Sequence, residues 1–551
     1  MGKENVIWEE VASSAKAVLE EEPVTLSPEE KRKIVDELKR MIGPEKVRDE
    51  PHICACYRGG GGGPSVPVRL MSIRSPDIVV YPKSTEDVRN VMIIASKYKV
   101  PVVPVGGHTN PPVPLLGGIV LDMVSMNKIH KIDLEHSYVV IDAGVTINQL
   151  QEAIGQGYLI PKGSYPPSLP VLSPLVCWGA QHNFVNRIWD QIVGLEVVMP
   201  DGSTLYTGSM LYGDVSHWTD VQTSFIQLKN LFSPNNTGIG VVTRAAVHIW
   251  PVLDESALFI FGFKDFPSAY RWSHAIAKSS MVDQVMVWPW TTIGNFSGAI
   301  HYCGLEWFEA RANCDLDDPP FELFHCPYYV FMQTRGYYEE VDGTLKAAQR
   351  LARQYGGKHL TEDELFEKPI VGSWYLYSLM QYLAKTPQEV LKLARNRLPP
   401  ELAQFFIKPP GSPAGEAPVL TIIFTGAVEE IIRFYEGLKA KFKELGRKNW
   451  GFYTRMFHYG QTPWFRFFPT IDAATKEELE ESTLMYHSIM KWALNNYKIN
   501  PLREPFMMNE PEKPEEVKER VKPVRRLMRA IQKEFDPENI LNPPAKKYTL
   551  A

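Results

Sequence analysis

The stretch IVVYPKSTEDVRNVMIIASKYKVPVVPVGG, residues 78–107, decides the fold. Ile78 to Tyr81 make a short apolar run stopped by Pro82, the pattern of a buried strand. Ser84-Thr85-Glu86 then opens a helix. Its apolar positions Val88, Val91, Met92 and Ala95 recur at spacings of three and four and so share one face. VPVVPV, residues 100–105, is a second apolar strand, and it ends in Gly106-Gly107. Strand, helix and strand closed by a glycine turn make a βαβ unit. Downstream, GGIVLDM (117–123) and YVVIDAGVTINQLQEAI (138–154) add two strands and a helix. LEVVMPDGSTLYTG (195–208) reads as a hairpin turning at Asp201-Gly202. GIGVVTRAAVHIWP (238–251) is a strand that leaves the unit near Pro251.

Outward from this unit the chain changes character. Residues 27–46, SPEEKRKIVDELKRMIGPEK, predict an amphipathic helix capped by Ser27, with Pro28 at its first position and Glu30 completing a capping box. GGGGGPSVP, 59–67, holds no regular element and reads as a loop. Beyond Pro251 the aromatic residues crowd into clusters such as WPW at 288–290 and PYYVF at 327–331. Helical patterns at 340–355 and 427–446 alternate there with short strands. A charged helix over 514–534 precedes DPENILNP. The expected organisation is an N-terminal segment (1–76), a first α+β domain (77–252), a second α+β domain with an antiparallel sheet (253–500) and a C-terminal segment returning to the first domain (501–551).

Composition excludes several classes. The chain has 551 residues, 44% of them hydrophobic and 22% charged, which suits a folded chain of two or three domains. A net charge of −5 lacks the basic excess of a nucleic-acid binder. No apolar run is long enough to span a bilayer, and the charged N-terminus lacks a secretory apolar core, so a cytoplasmic location is expected. Six cysteines, with Cys54 and Cys56 as a C-x-C pair and no C-x-x-C array, form neither a disulfide framework nor an iron–sulfur motif.

Seven stretches in order, YPKSTEDV, PVGGHTN, GGIVLDM, VIDAGVTINQL, LEVVMPDGSTLYTG, GVVTR and DPENILNP, resemble the vanillyl-alcohol oxidase / p-cresol methylhydroxylase family of FAD-dependent oxidoreductases. The resemblance covers about 77–251 and the last twenty residues; the middle is similar in layout only. It implies a two-lobed FAD-binding domain of the p-cresol methylhydroxylase type under an α+β substrate-binding cap. The FAD pyrophosphate is expected against Val105, Gly106 and Gly107, with side-chain hydrogen bonds from Thr109 and Asn110. Without a Cβ, the glycines let backbone N–H groups approach phosphate oxygens. Val241 and Val242, and the segment Asn539 to Pro543 with Asn542, match other flavin-facing stretches. LVCWGAQHN places Cys177, Gly179, Ala180 and His182 at a second contact. There the sequence departs from the family, having Gly179-Ala180 where a glycine–asparagine pair is usual. For His108, in a GGH turn, two readings stand: a covalent bond to the flavin 8α-methyl carbon and, preferred, a non-covalent contact.

The resemblance implies hydride transfer from a small substrate to flavin N5, the substrate being aromatic or alicyclic. The phenol-oxidising branch holds its substrate with tyrosines and an arginine. The nearest candidates here are Tyr497 and Arg503, with Arg455 as competitor, His458 as acid/base and Asp190 as a further catalytic candidate. Tyr453, Tyr459, Trp464 and Phe468 are candidate pocket aromatics. The HxGDGN-type motif of the 2-hydroxy-acid branch is absent. Two alternatives stay open: a hydroxy-acid dehydrogenase passing electrons to a partner subunit, and a flavin-binding electron-transfer or structural subunit without substrate chemistry. Implied partners are an electron-transfer flavoprotein, a cytochrome or an iron–sulfur subunit, besides a second copy of the chain in a homo-oligomer; no metal is expected.

Overall fold

The structure is a computed structural model. It describes residues 26–57, 75–107, 117–160, 168–178, 191–212, 228–232, 238–297, 299–383, 387–403, 422–444, 450–457, 459–468, 488–489, 491–501 and 515–543. Helix α1, Pro28–Ile42, is capped by Ser27 and Glu30 through a complete capping box. It ends earlier than the sequence pattern predicts, because Gly43 takes φ +102° and Pro44 follows.

The first lobe holds β1 (Val47–Arg48), β2 (Ile78–Val80), β3 (Val102–Val105) and β4 (Ile119–Asp122) in the order β1-β2-β4-β3. Helix α2, Thr85–Tyr98, capped by Ser84, connects β2 to β3. Those two strands are parallel but not neighbours: β4 lies between them, parallel to both. The second lobe is an antiparallel sheet of β5 (Ile129–Asp133), β6 (Tyr138–Asp142), β8 (Ile192–Val198), β9 (Thr204–Tyr206) and β10 (Val241–His248), ordered β5-β6-β10-β8-β9. The β8–β9 hairpin turns at Gly202, φ +81°. The short strands β7 (Tyr158–Leu159) and β11 (Trp250–Pro251) pair with each other. Helices α3, Ile147–Ile154, and α4, Leu172–Trp178, follow β6.

The second unit is built on two four-stranded antiparallel sheets. One holds β12 (Glu255–Phe263), β13 (Gln284–Pro289), β14 (Tyr328–Gly336) and β15 (Lys358–Leu360), ordered β13-β14-β12-β15. The other holds β16 (Ile422–Thr425), β17 (Gly451–Phe457), β18 (Thr462–Phe468) and β19 (Asn500–Pro501), ordered β17-β18-β16-β19. The sheets meet at β13 and β17, where Val287 N–H donates to Thr454 Oγ1 (3.3 Å). Close by, the Thr292 hydroxyl donates to the Phe452 carbonyl (2.9 Å). Period-two alternation sorts the side chains. Val285, Val287, Val330, Phe452, Phe465 and Phe467 pack under helices α5 (Phe266–Ala277), α6 (Tyr338–Gln354) and α8 (Val428–Glu444). Met286, Trp288, Tyr329, Phe331, Tyr453 and Trp464 belong instead to a core that runs on into both lobes and helix α7, Pro369–Tyr382.

After helix α9, Glu515–Phe535, the chain returns to the first lobe. Val102 N–H donates to the Ile540 carbonyl (2.8 Å), and Asn542 N–H donates to the Val102 carbonyl (2.7 Å). The C-terminal segment thus lies along the open edge of β3.

Candidate active site

Three parallel strands end together at Val80, Asp122 and Val105, and crevices beyond the carboxyl ends of parallel strands are where α/β sheets take ligands. Gly106 and Gly107 lie there. A Cβ on Gly106 would fall 1.9 Å from Ser173 Oγ, and one on Gly107 1.9 Å from Leu169 Cδ1. The turn is therefore pressed against Leu169 and the start of α4, and a side chain at either glycine would force those neighbours to move. Gly107 N–H points at the Ser173 hydroxyl (3.4 Å). Val105 is buried beside Val103, Val120 and Tyr57. The Tyr57 hydroxyl donates to Asp122 (2.5 Å); burial first, then that bond, raises its ionisation well above the ordinary phenol range.

The structure thus brings Gly106 and Gly107 against the helix that carries Cys177. Val241 and Val242 open β10, buried and paired with Val198 and Val197. Asn542 is buried against β3 in a left-handed conformation, φ +48°. His108, Thr109, Asn110, Gly179, Ala180, His182, Asp190, His458 and Arg503 lie outside the described residues.

The sheet face turned toward the lobes carries a second group of candidate residues, packed within the core that runs into both lobes. Trp288 stacks on Tyr453, ring centroids 5.3 Å apart at 14°. Trp374 of α7 stands edge-on to Tyr329 (6.1 Å) and tilted against Trp288 (5.9 Å). Arg455, 1% exposed, lies over the rings of Tyr453 (5.5 Å) and Trp464 (5.7 Å). Arg466, on the neighbouring strand, lies over the same Tyr453 ring (5.4 Å) and donates from Nη1 to the Tyr453 hydroxyl (2.5 Å). Two guanidiniums therefore converge on one tyrosine inside an aromatic wall. Of this group, Arg455, Tyr453 and Trp464 were candidates from sequence, while Arg466, Trp288 and Trp374 were not named. The alternation in TPWFRFF, which puts Trp464 and Arg466 on one face and Phe465 and Phe467 on the other, was a usable signal for Arg466.

Tyr497 is placed elsewhere. Its ring meets Phe434 and Trp492 and carries the Arg433 guanidinium at 4.7 Å, and its hydroxyl lies where a Gly437 Cβ would be. Phe434 belongs to the helix-covered face, so the sheet separates Tyr497 from Arg455. Tyr459 is 43% exposed at the β17–β18 turn. Among the described residues no group of three His, Cys, Asp or Glu side chains is placed to hold a metal ion, and no helix is long and apolar enough to cross a membrane.

Comparison with known proteins adds four findings. A family described as an FAD binding domain matches residues 76–208. A glycolate oxidase subunit of Bacillus subtilis is 28% identical over 183 residues, covering 32% of this chain and 37% of the relative, so the match spans little more than a third of that protein. In fold, the chain is similar to a 4-ethylphenol oxidase from Gulosibacter chungangensis (TM-score 0.74, 17% identity, 95% of this chain and 98% of that one). It is similar also to a p-cresol methylhydroxylase solved with substrate bound (TM-score 0.72, 16% identity, the same coverage).

Proposed function

We propose that this chain, which carries an FAD-binding domain within the fold of the vanillyl-alcohol oxidase / p-cresol methylhydroxylase family, is an FAD-dependent oxidoreductase acting on a small, anion-bearing aromatic or alicyclic alcohol or phenol. The observation that carries the substrate class is the convergence of Arg455 and Arg466 on Tyr453 within the wall of Trp288, Trp374 and Trp464. The turn fits FAD by its place: Gly106 and Gly107 lie at the carboxyl ends of parallel strands, and the absence of a Cβ on either lets the turn pack directly on Ser173 and Leu169. When bound, FAD supplies the hydride acceptor at flavin N5.

The chain's own side chains would do the rest. Gly106 and Gly107 hold the pyrophosphate, and Val241 and Val242 back the ring system. The Trp288–Tyr453 wall orients a flat substrate by stacking. Arg455 and Arg466 hold the substrate anion, and their positive charge favours electron density moving toward the breaking C–H bond. The Arg466–Tyr453 bond fixes the phenol hydroxyl so that its oxygen faces a guanidinium. Electrons leave to oxygen or to a partner such as a cytochrome, an electron-transfer flavoprotein or an iron–sulfur subunit.

Anaerobic mixing of the flavin-loaded protein with a panel of phenols, aryl alcohols and aromatic acids tests the reading. Bleaching of the flavin absorbance by members of that panel is expected. Bleaching only by aliphatic 2-hydroxy acids would move the function to the hydroxy-acid class. No bleaching by any donor would leave a flavin-binding subunit without substrate chemistry.

A further inference from the structure

A row of charge, its two carboxylates buried and its Arg244 and His130 partly exposed, crosses the second lobe. Arg244 on β10 pairs in register with Asp142 on β6 and Glu196 on β8. Its guanidinium reaches both: Nε to Asp142 Oδ1 at 3.2 Å and Nη1 to Glu196 Oε2 at 3.4 Å. His130 Nε2 lies 2.7 Å from Asp142 Oδ1 and closes the far end. Asp142 and Glu196 are each 4% exposed. Such buried ionic groups contribute little net stability, since apolar residues of similar volume do as well or better. A row of this kind is better suited to selecting one arrangement of the parts that it joins.

The row ends where the first lobe begins. Thr85, the first residue of α2, donates its hydroxyl to Glu196 Oε1 at 2.5 Å, and Thr243 donates to the same oxygen at 2.9 Å. A second contact lies further along the same helix, where Arg89 Nε donates to the Gly202 carbonyl (2.9 Å). A Cβ on Gly202 would come within 2.5 Å of Ile93 Cγ1. Helix α2 is thus seated on the β8–β9 hairpin at two levels. The strand after α2 delivers Gly106-Gly107, and Val241-Val242 directly precede Thr243 and Arg244.

We propose that the Thr85–Glu196 hydrogen bond sets the spacing of the two lobes for the dinucleotide, making Thr85 and Glu196 positioning residues for FAD. This rests on the FAD reading above. The test uses the full chain, stripped of flavin and titrated with FAD by fluorescence, with thermal unfolding of the apo-protein measured in parallel. Thr85→Val keeps the side-chain shape and deletes the donor. It is expected to raise the FAD Kd about tenfold, below the ceiling of about 100-fold set by the full worth of a hydrogen bond to a charged acceptor, since the bond joins two protein groups and not the ligand. Thr85→Ser, which restores the hydroxyl, is expected to return the Kd to within about threefold of wild type. Wild-type FAD affinity in Thr85→Val overturns the proposal whatever its melting temperature, as does a Thr85→Ser variant no tighter than Thr85→Val. Should Thr85→Val fail to fold, Glu196→Gln replaces it: the neutral acceptor is expected to weaken FAD binding about threefold or more, and unchanged affinity overturns the proposal. A wild-type apo-protein that takes up no FAD overturns the FAD reading itself, a result distinct from a wild type that binds and a variant that binds equally well.

Discussion

Arg455 illustrates what one buried cation can do. It has little water to balance its charge, and its guanidinium is held over two aromatic rings. Arg455→Met should keep its flavin and lose on the order of 2–4 kcal/mol in kcat/KM, the range for one preorganised charge-stabilising donor. Arg455→Lys should recover little, because an ammonium cannot lie flat between two rings. Wild-type turnover in Arg455→Met would move the anchor to Arg466 or Arg503. A second residue carries a pH dependence. Burial raises the Asp283 carboxyl to about 7, although Arg335 lies 3.4 Å away. Between about pH 4, the ordinary aspartate value, and pH 7, the unfolded chain gives up this proton while the folded chain keeps it. The contribution is therefore full below about pH 4 and is lost as pH rises through about 7. Asp283→Asn should remove this slope and, relative to wild type, gain on the order of 3 kcal/mol at pH 8 compared with pH 4.5, read from denaturant melts. Parallel pH profiles for the two proteins would refute it.

Elements show how local signals met longer-range ones. The caps at Ser27 and Ser84 and the turn at Gly202 were readable because each is written within four residues. The place of β4 between β2 and β3 was not, because strand order depends on contacts far apart in the chain. β5, Ile129–Asp133, escaped notice because its residues are only half-buried and lack an apolar run. A buried carboxylate shapes the C-terminal return beside its backbone bonds to β3: Asp536, 2% exposed, accepts from Ile540 N–H (3.0 Å) and Leu541 N–H (2.9 Å). Asp536→Ala leaves those donors buried without it and should cost about 2–3 kcal/mol. Chemical denaturation measures this, and a loss below about 0.5 kcal/mol would show that the segment holds without its turn.

For the whole molecule, the prediction is a yellow protein with about one FAD per chain. Saturating FAD should raise the melting temperature, since a ligand that binds only the folded state stabilises it by mass action. Gly107→Val should abolish flavin retention, because the space for its side chain is already taken by Leu169. Absorbance of the purified variant at flavin wavelengths reads this directly, and a normal flavin content would misplace the phosphate turn. The βαβ unit, the glycine turn, the Asp201-Gly202 hairpin and the two-part layout were legible in the residues, because propensity, capping and alternation act over a few neighbours. The composition of the substrate face was not. Which of a strand's two faces meets the lobes, and whether Tyr497 shares a side with Arg455, follow from how β13 meets β17 across more than 160 residues of chain. Packing between distant strands settles those choices, and a period of two is equally consistent with either face.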